Sequence, residues 1–204
     1  MTAPAAEVAL VDFGMGNLRN VARALERAGA KPRVTADPAD VLHADRVVLP
    51  GVGALGDCMR GLRELGVDEA LRERIDRGRP YLGLCLGLQV LFEEGDEGNA
   101  RGLGLIPGRV GRFDSGMGLP IPHMGWNAAE LESPHPVVPD GYYYFVHSYR
   151  PAGVPAEAVV ATTEYGERFP SAVGAGTAVA VQFHPEKSQR VGLELLERYC
   201  RWDP

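Results

Sequence analysis

The sequence has no surplus of positive charge: 21 Lys+Arg stand against 27 Asp+Glu, for a formal net charge of -6. Such a chain repels phosphate backbones and anionic lipid, which argues against a nucleic-acid or membrane partner and for a small molecule or another protein. Cysteine is also scarce. Cys58, Cys85 and Cys200 are the only three and form no CxxC pair, so no disulfide framework is expected. An odd cysteine count without a signal peptide fits a reducing cytoplasm. No histidine spacing matches a metal site, and neither a metal nor a cofactor is expected. No apolar run approaches the ~18 residues of a membrane-spanning helix. "MTAPAA" is too short to serve as an address label. With no solenoid repeat, no low-complexity tract and no break in composition, residues 1–204 read as one domain.

What the sequence does contain is alternation. "EVALVDFG" (Glu7 to Gly14) is a near-continuous apolar run ended by glycine, the pattern of a strand buried on both faces, and it predicts a central strand. "NLRNVARALERAG" then places Leu18, Val21, Ala22, Leu25 and Ala28 on one helical face, with Asn17 as N-cap and Gly29 as C-cap. "RVVLPG" and "RPYLGL" repeat the strand, and "VDEALRERIDRG" repeats the helix with its glycine stop. The second half reads differently. Tyr142 to Tyr149, Ala158 to Thr163 and Thr177 to Phe183 are β-rich, and "RVGLELLERYCRW" is amphipathic at a helical period. The fold class expected is α/β: a mixed, mostly parallel central sheet flanked by helices.

"GVGALG" (Gly51, Gly53, Gly56) follows a strand and satisfies G-x-G-x-x-G. A dinucleotide site would also need an acidic residue at the tip of the next strand, and that tip carries Cys85. The glycines either close a strand-to-helix turn or present backbone N–H groups to an anion. Cys85 lies in "GLCLG", with Gly83 and Gly87 two residues to either side. A free cysteine is most often a small core hydrophobe. Here the flanking glycines clear a sharp strand-to-helix turn, as in the G-x-S-x-G elbow of hydrolases with sulfur in place of oxygen. The partial positive charge of a helix N-terminus favours thiolate there. The elbow aims the Leu86 N–H at an oxyanion formed by attack of Cys85, and the Val52–Gly53 peptide, on the neighbouring parallel strand's tip, is the second donor expected.

A thiolate attacking an amide needs a proton donor for the departing amine. His43, His123 and His135 flank strands or prolines and read as surface or structural residues; His147 packs at a strand end. "VAVQFHPEKS" stands apart, because Val179, Val181 and Phe183 alternate up to His184, Pro185 ends the strand, and Glu186 follows two residues after the histidine. Either this is a proline-capped strand end, or the acid orients the imidazole. The order Cys, His, Glu excludes the α/β-hydrolase arrangement, in which the acid precedes the histidine.

"GLCLGLQ" with "FHPE" resembles the class I glutamine amidotransferases. "DFGMGNL", "PGVGALGDCM", "PHMGWN", "YFVHSYR" and "QFHPEKSQ" resemble, within that family, the glutaminase subunits of imidazole glycerol phosphate synthase, from about Glu7 onward. Phe13 stands where those proteins often have tyrosine. The resemblance implies a Cys85–His184–Glu186 triad that hydrolyses glutamine to glutamate and ammonia. It implies Gly53, Gln89, Ser148 and Tyr149 as substrate contacts, the lesser alternative for Ser148 and Tyr149 being a sheet-edge aromatic patch. It implies a (β/α)8-barrel cyclase subunit as heterodimer partner, contacted by Asn17, Met124, Trp126, Tyr144 and Lys187; Trp126 can equally be a core anchor. A glutaminase fills a chain of this length, so the ammonia is expected to be used by another chain. The rival readings are a glutaminase of another synthase, a binding subunit without chemistry, and a cysteine hydrolase of other substrates.

Overall fold

The computed structural model describes residues 5–204. Strand and helix alternate at first: β1 (Glu7–Val11), α1 (Leu18–Arg27), β2 (Lys31–Thr35), α2 (Pro38–His43), β3 (Arg46–Gly51), α3 (Leu55–Glu64), α4 (Val67–Asp76) and β4 (Tyr81–Cys85). There follow a one-turn helix α5 (Leu86–Gln89) and the strands β5 (Phe92–Gly95), β6 (Ala100–Arg101), β7 (Ile106–Arg112), β8 (His123–Leu131) and β9 (Gly141–His147). Then come β10 (Tyr149–Ala152), β11 (Val159–Glu164), β12 (Arg168–Ala175), β13 (Ala178–Val181) and helix α6 (Gln189–Arg201).

Nine strands join in the order β2-β1-β3-β4-β13-β12-β11-β8-β9. The first five are parallel and the rest pair antiparallel. Period-two alternation sends each strand's side chains to two different layers. Val8 and Leu10 pack with Val21 and Leu25 of α1 and Leu195 and Leu196 of α6. Ala9 and Val11 face the other way, toward Val41, Met59, Leu62 and Leu71 of α2, α3 and α4. β1 is therefore buried on both faces as its composition predicts, but it lies second from one edge of the sheet, not at its centre. Helical cover makes a strand apolar wherever it sits, so the apolar run reports cover and not rank.

Two features depart further from the sequence reading. β10-β7-β5-β6 form a second, four-stranded sheet. Its Phe92, Ile106 and Val110 share a buried cluster with Leu86 and Leu88, so the small sheet packs beneath the turn that carries Cys85. Helix α5 is also only four residues long. At α1 the caps form without help from a side chain: the Asn17 carbonyl accepts the N–H groups of Asn20 and Val21, while its side chain makes no capping bond. Gly29, at φ +85, is the left-handed residue that ends the helix.

The largest buried polar group is Arg74, which is fully buried. Its guanidinium donates to the carbonyls of Val41 (3.0 Å), Leu42 (3.3 Å) and Ala44 (2.8 Å) through Nη1, to Asp45 (2.8 Å) through Nη2 and to Pro80 (3.1 Å) through Nε. These acceptors include the last carbonyls of α2, which no helical N–H can reach. Burial lowers the guanidinium to about 10, which leaves it charged at neutral pH. Replacing it with an isosteric apolar chain strands five acceptors together. Arg74→Met is expected to lower unfolding free energy by about 3 kcal/mol or more in urea denaturation; a loss below about 1 kcal/mol would contradict this role.

Candidate active site

Cys85 is the last residue of β4 and has φ +54 and ψ −101, a backbone that a non-glycine residue rarely adopts. Its surroundings enforce that strain. A methyl group at Gly83 would run into the Gly87 carbonyl, and one at Gly87 would run into the Leu49 carbonyl. The Tyr81 hydroxyl donates to the Gly87 carbonyl at 2.7 Å and ties the start of β4 to the far side of the turn. The flanking glycines thus permit backbone-to-backbone packing that no side chain would allow, and the sequence-level elbow is present. What α5 lacks is length. One turn carries little of a macrodipole, so the positive charge beside Cys85 has to come mainly from elsewhere.

It comes from β13. This strand runs parallel to β4 with Ala178 beside Tyr81, Ala180 beside Gly83 and Val181 beside Leu84. Continuing one face in steps of two from Ala178 and Ala180 gives Gln182 and then His184, just past the tip that carries Cys85. The strand stops at Val181, earlier than the proline predicts, and His184 is held instead by its N–H to the Tyr144 carbonyl at 2.9 Å. A 3-10 turn over Pro185–Lys187 then swings Glu186 back. Its Oε1 lies 2.8 Å from His184 Nδ1, and both side chains are at most 5% exposed. Burial by itself would depress the imidazole. The neighbouring Cys85 sulfur and the hydrogen-bonded Glu186 carboxylate outweigh it and raise His184 to about 10. Nε2 of His184, the ring nitrogen away from Glu186, is buried and makes no hydrogen bond among the described residues. Its proton is available to a group that enters between it and the sulfur.

Gln182, which the sequence reading passed over, is fully buried. Its Nε2 donates to Cys85 Sγ at 3.6 Å, and its Oε1 accepts from Gln89 Nε2 at 3.3 Å. Gln89 also reaches the Tyr149 carbonyl at 3.5 Å. A polar residue in an otherwise apolar strand, two positions before the histidine, was the available signal. Ser148 and Tyr149 form the corner between β9 and β10, where Ser148 accepts the Phe113 N–H at 3.1 Å. Cys85, Gln89, His184 and Tyr149 therefore meet at one place. Gly53 has φ +102, and the Met15 side chain fills the space a side chain at Gly53 would need. Val52 beside it is exposed and Leu86 is buried directly after Cys85. The loop thus lies across the β3 tip, which pairs with β4 through Gly51 and Cys85.

On the outer edge, Met124 and Trp126 are 61% and 48% exposed, so Trp126 is not a core anchor. Trp126 meets Tyr144 edge-on at 6.3 Å, and Lys187 Nζ sits 5.6 Å from the Tyr144 ring centre. These four side chains form one surface, and Asn17 is exposed at the start of α1. Among the described residues, no three His, Cys, Asp or Glu side chains gather as a metal-binding set. Nor is any helix among them long and apolar enough to cross a membrane. Cys58 and Cys200 lie apart from the site, and burial pushes their thiols up to about 12 and about 11.

Comparison with known proteins finds relatives along nearly the whole chain. The chain is 47% identical over 201 residues to imidazole glycerol phosphate synthase subunit HisH of Symbiobacterium thermophilum, covering 96% of this chain and 94% of the relative. It is 48% identical over 211 residues to the protein of that name from Methylococcus capsulatus, covering 97% of each. Among solved structures, a glutamine amidotransferase crystal structure superposes with a TM-score of 0.75 at 22% identity, over 94% of this chain and 98% of the other. PurLQS from Thermotoga maritima superposes with a TM-score of 0.73 at 19% identity, over 97% and 96%. Both structures share the fold. Residues 9–200 match the family described as glutamine amidotransferase class-I, and the chain belongs to that family.

Proposed function

We propose that this chain is the glutaminase subunit of an imidazole glycerol phosphate synthase, hydrolysing L-glutamine to L-glutamate and ammonia. The observation that carries the reading is the meeting of the strained Cys85 elbow with the His184–Glu186 pair across two parallel strands. Close relatives that bear the synthase-subunit name support the choice of synthase.

In this reading Cys85 Sγ adds to the side-chain amide carbon of glutamine. The N–H of Leu86 and the Val52–Gly53 peptide bind the resulting oxyanion, each donor being worth ~3 kcal/mol in comparable sites. His184, protonated because Glu186 and the sulfur hold its proton, gives that proton to the departing amine. Ammonia leaves and a thioester remains. Water then adds to the thioester as His184 takes its proton, and collapse of that intermediate restores the thiolate and releases glutamate. Gly53, Gln89, Ser148 and Tyr149 hold the amino-acid end. Met124, Trp126, Tyr144, Lys187 and Asn17 face a cyclase subunit, a (β/α)8 barrel bound as a heterodimer. That partner uses the ammonia to form imidazole glycerol phosphate and an aminoimidazole carboxamide ribotide for histidine synthesis. The reading needs no cofactor and places the chain, as one glutaminase unit, in the cytoplasm.

At rest the site is closed, with Cys85 7%, Gln89 5% and His184 4% exposed. Glutamine entry therefore requires the site to open, and the loop around Val52 and Gly53, next to the Gly51–Cys85 pair, is the segment assigned to that movement. Glutamate release by the chain alone is expected to be slow and to rise at least about tenfold when the cyclase and its substrate are added; equal rates in both conditions would count against partner control of the loop. Cys85→Ala is expected to abolish glutamine-driven synthesis in the complex and to leave synthesis from added ammonium salt. Glutamine use by that variant would rule out Cys85 as nucleophile. The same substitution removes a group that holds the proton on His184, so the imidazole, raised to about 10 in the intact chain, is expected to titrate well below that value. NMR titration of the ring measures this, and an unchanged midpoint would show that the sulfur does not hold the proton.

A further inference from the structure

Two buried histidines have no part in the reaction above. His123, placed by the sequence in a proline-bearing loop, instead begins β8 opposite His147 at the end of β9, and they are 3% and 6% exposed. His123 Nδ1 lies 3.0 Å from His147 Nε2. Their neighbours determine where each proton sits. Asn127 is fixed in orientation, since its Oδ1 accepts the Ala128 N–H at 2.8 Å and its Nδ2 donates to the Glu164 carbonyl at 2.9 Å. The second hydrogen on Nδ2 points at His123 Nε2, 3.2 Å away, so Nε2 accepts and the proton of His123 is on Nδ1. His147 Nε2 must then accept, and its own Nδ1–H donates to the Tyr149 carbonyl at 2.8 Å. The result is a one-way series of donors from Asn127 through His123 and His147 to the backbone of Tyr149.

The surroundings keep this series uncharged. His123 stacks on Tyr165 at 3.9 Å and on Phe145 at 4.7 Å, with Phe113 and Phe169 edge-on. Burial holds the two rings down, to about 4 and about 3, so both are neutral at pH 7. Two neutral rings can keep the donor order; a protonated His147 would turn a second donor against His123. The series ends where the proposed substrate contacts begin. The Tyr149 carbonyl accepts from His147 on one side and Gln89 on the other, with Ser148 between the two strands.

We infer that Asn127, His123 and His147 are positioning residues that hold the Ser148–Tyr149 backbone in the orientation glutamine binding requires. The inference rests on the glutaminase reading and adds a specific support to it. None of the three side chains touches the reacting atoms. His123 directly precedes Met124 on β8, so the proposed partner-facing strand and the glutamine-binding corner share one rigid hydrogen-bonded strut.

The test compares two variants in the complex with the cyclase and its substrate. His147→Phe keeps the ring's bulk and removes both nitrogens; His147→Asn can still place an amide donor where Nδ1 stood. His147→Phe is expected to raise KM for glutamine at least about fivefold while kcat changes less than about twofold, and His147→Asn to recover most of that KM loss. A structural role alone would not give a KM effect rescued by the donor. A second measurement needs no substitution: 15N NMR of the intact chain is expected to show Nδ1-protonated, neutral rings at both His123 and His147. An unchanged KM in His147→Phe, equal KM in the two variants, or an Nε2-protonated His147 each overturns the inference. Absence of glutamate release by the unsubstituted complex would instead overturn the glutaminase reading, and this inference with it.

Discussion

Parallel pairing of β4 with β13 is the constraint on which the site depends. It joins two segments about a hundred residues apart, and its register sets the nucleophile and the imidazole on the same face at the same end of the sheet. An antiparallel pairing would have put the tips of the two strands at opposite ends. A slip of one residue would have turned Gln182 and His184 into the layer occupied by Val179 and Val181. Small residues keep the two strands close: Ala180 lies directly against Gly83, and a methyl group there would come within 2.9 Å of its Cβ. Core packing and catalytic geometry are in this sense one requirement, so substitutions at Gly83 or Ala180 act on both.

The site as it rests is assembled but covered. The His184–Glu186 contact is made and the sulfur lies beside the imidazole, while the Met15 side chain sits on Gly53 and Cys85 itself is almost without solvent contact. The positive charge on His184 outlasts burial because the Cys85 sulfur and the Glu186 carboxylate both favour it, whereas His147 is held down chiefly by its own burial and only further by the nearby His184. Opposite protonation states are thereby maintained at His147 and His184: one neutral and donating to a carbonyl, the other charged and ready to donate. The difference follows from partners, since His184 has a carboxylate and His147 has only dipoles and aromatic faces.

Much of this was legible in the sequence because it is local. The glycines around Cys85, the two-residue spacing of His184 and Glu186, and the caps at Asn17 and Gly29 all act within a few positions. Apolar periodicity gave the doubly covered strands and helices α1, α4 and α6. What escaped depends on pairing between distant segments. The four-stranded second sheet is made of short strands that carry no strong alternation, and β1 ranks second from the edge although its composition is that of a fully covered strand. Gln182 looked like one polar residue among valines until β4 was laid beside it. His123 and His147 looked like ordinary loop and strand-end residues, because only the β8–β9 register brings their rings together. Arg74 sits within a charged helical stretch, and nothing nearby in sequence marks it as the arginine that is buried.

The placement of the other two cysteines, Cys58 buried and Cys200 partly buried, has its own consequence. With their thiols pushed up to about 12 and about 11 by burial, Cys58 and Cys200 stay as inert sulfhydryls at physiological pH. Alkylating reagents and peroxide act on thiolates, so both residues react with them more slowly than an unburied cysteine would. Any electrophile shaped like glutamine that enters the molecule therefore finds a single sulfur poised beside an imidazolium, and the stoichiometry of covalent labelling counts functional sites directly.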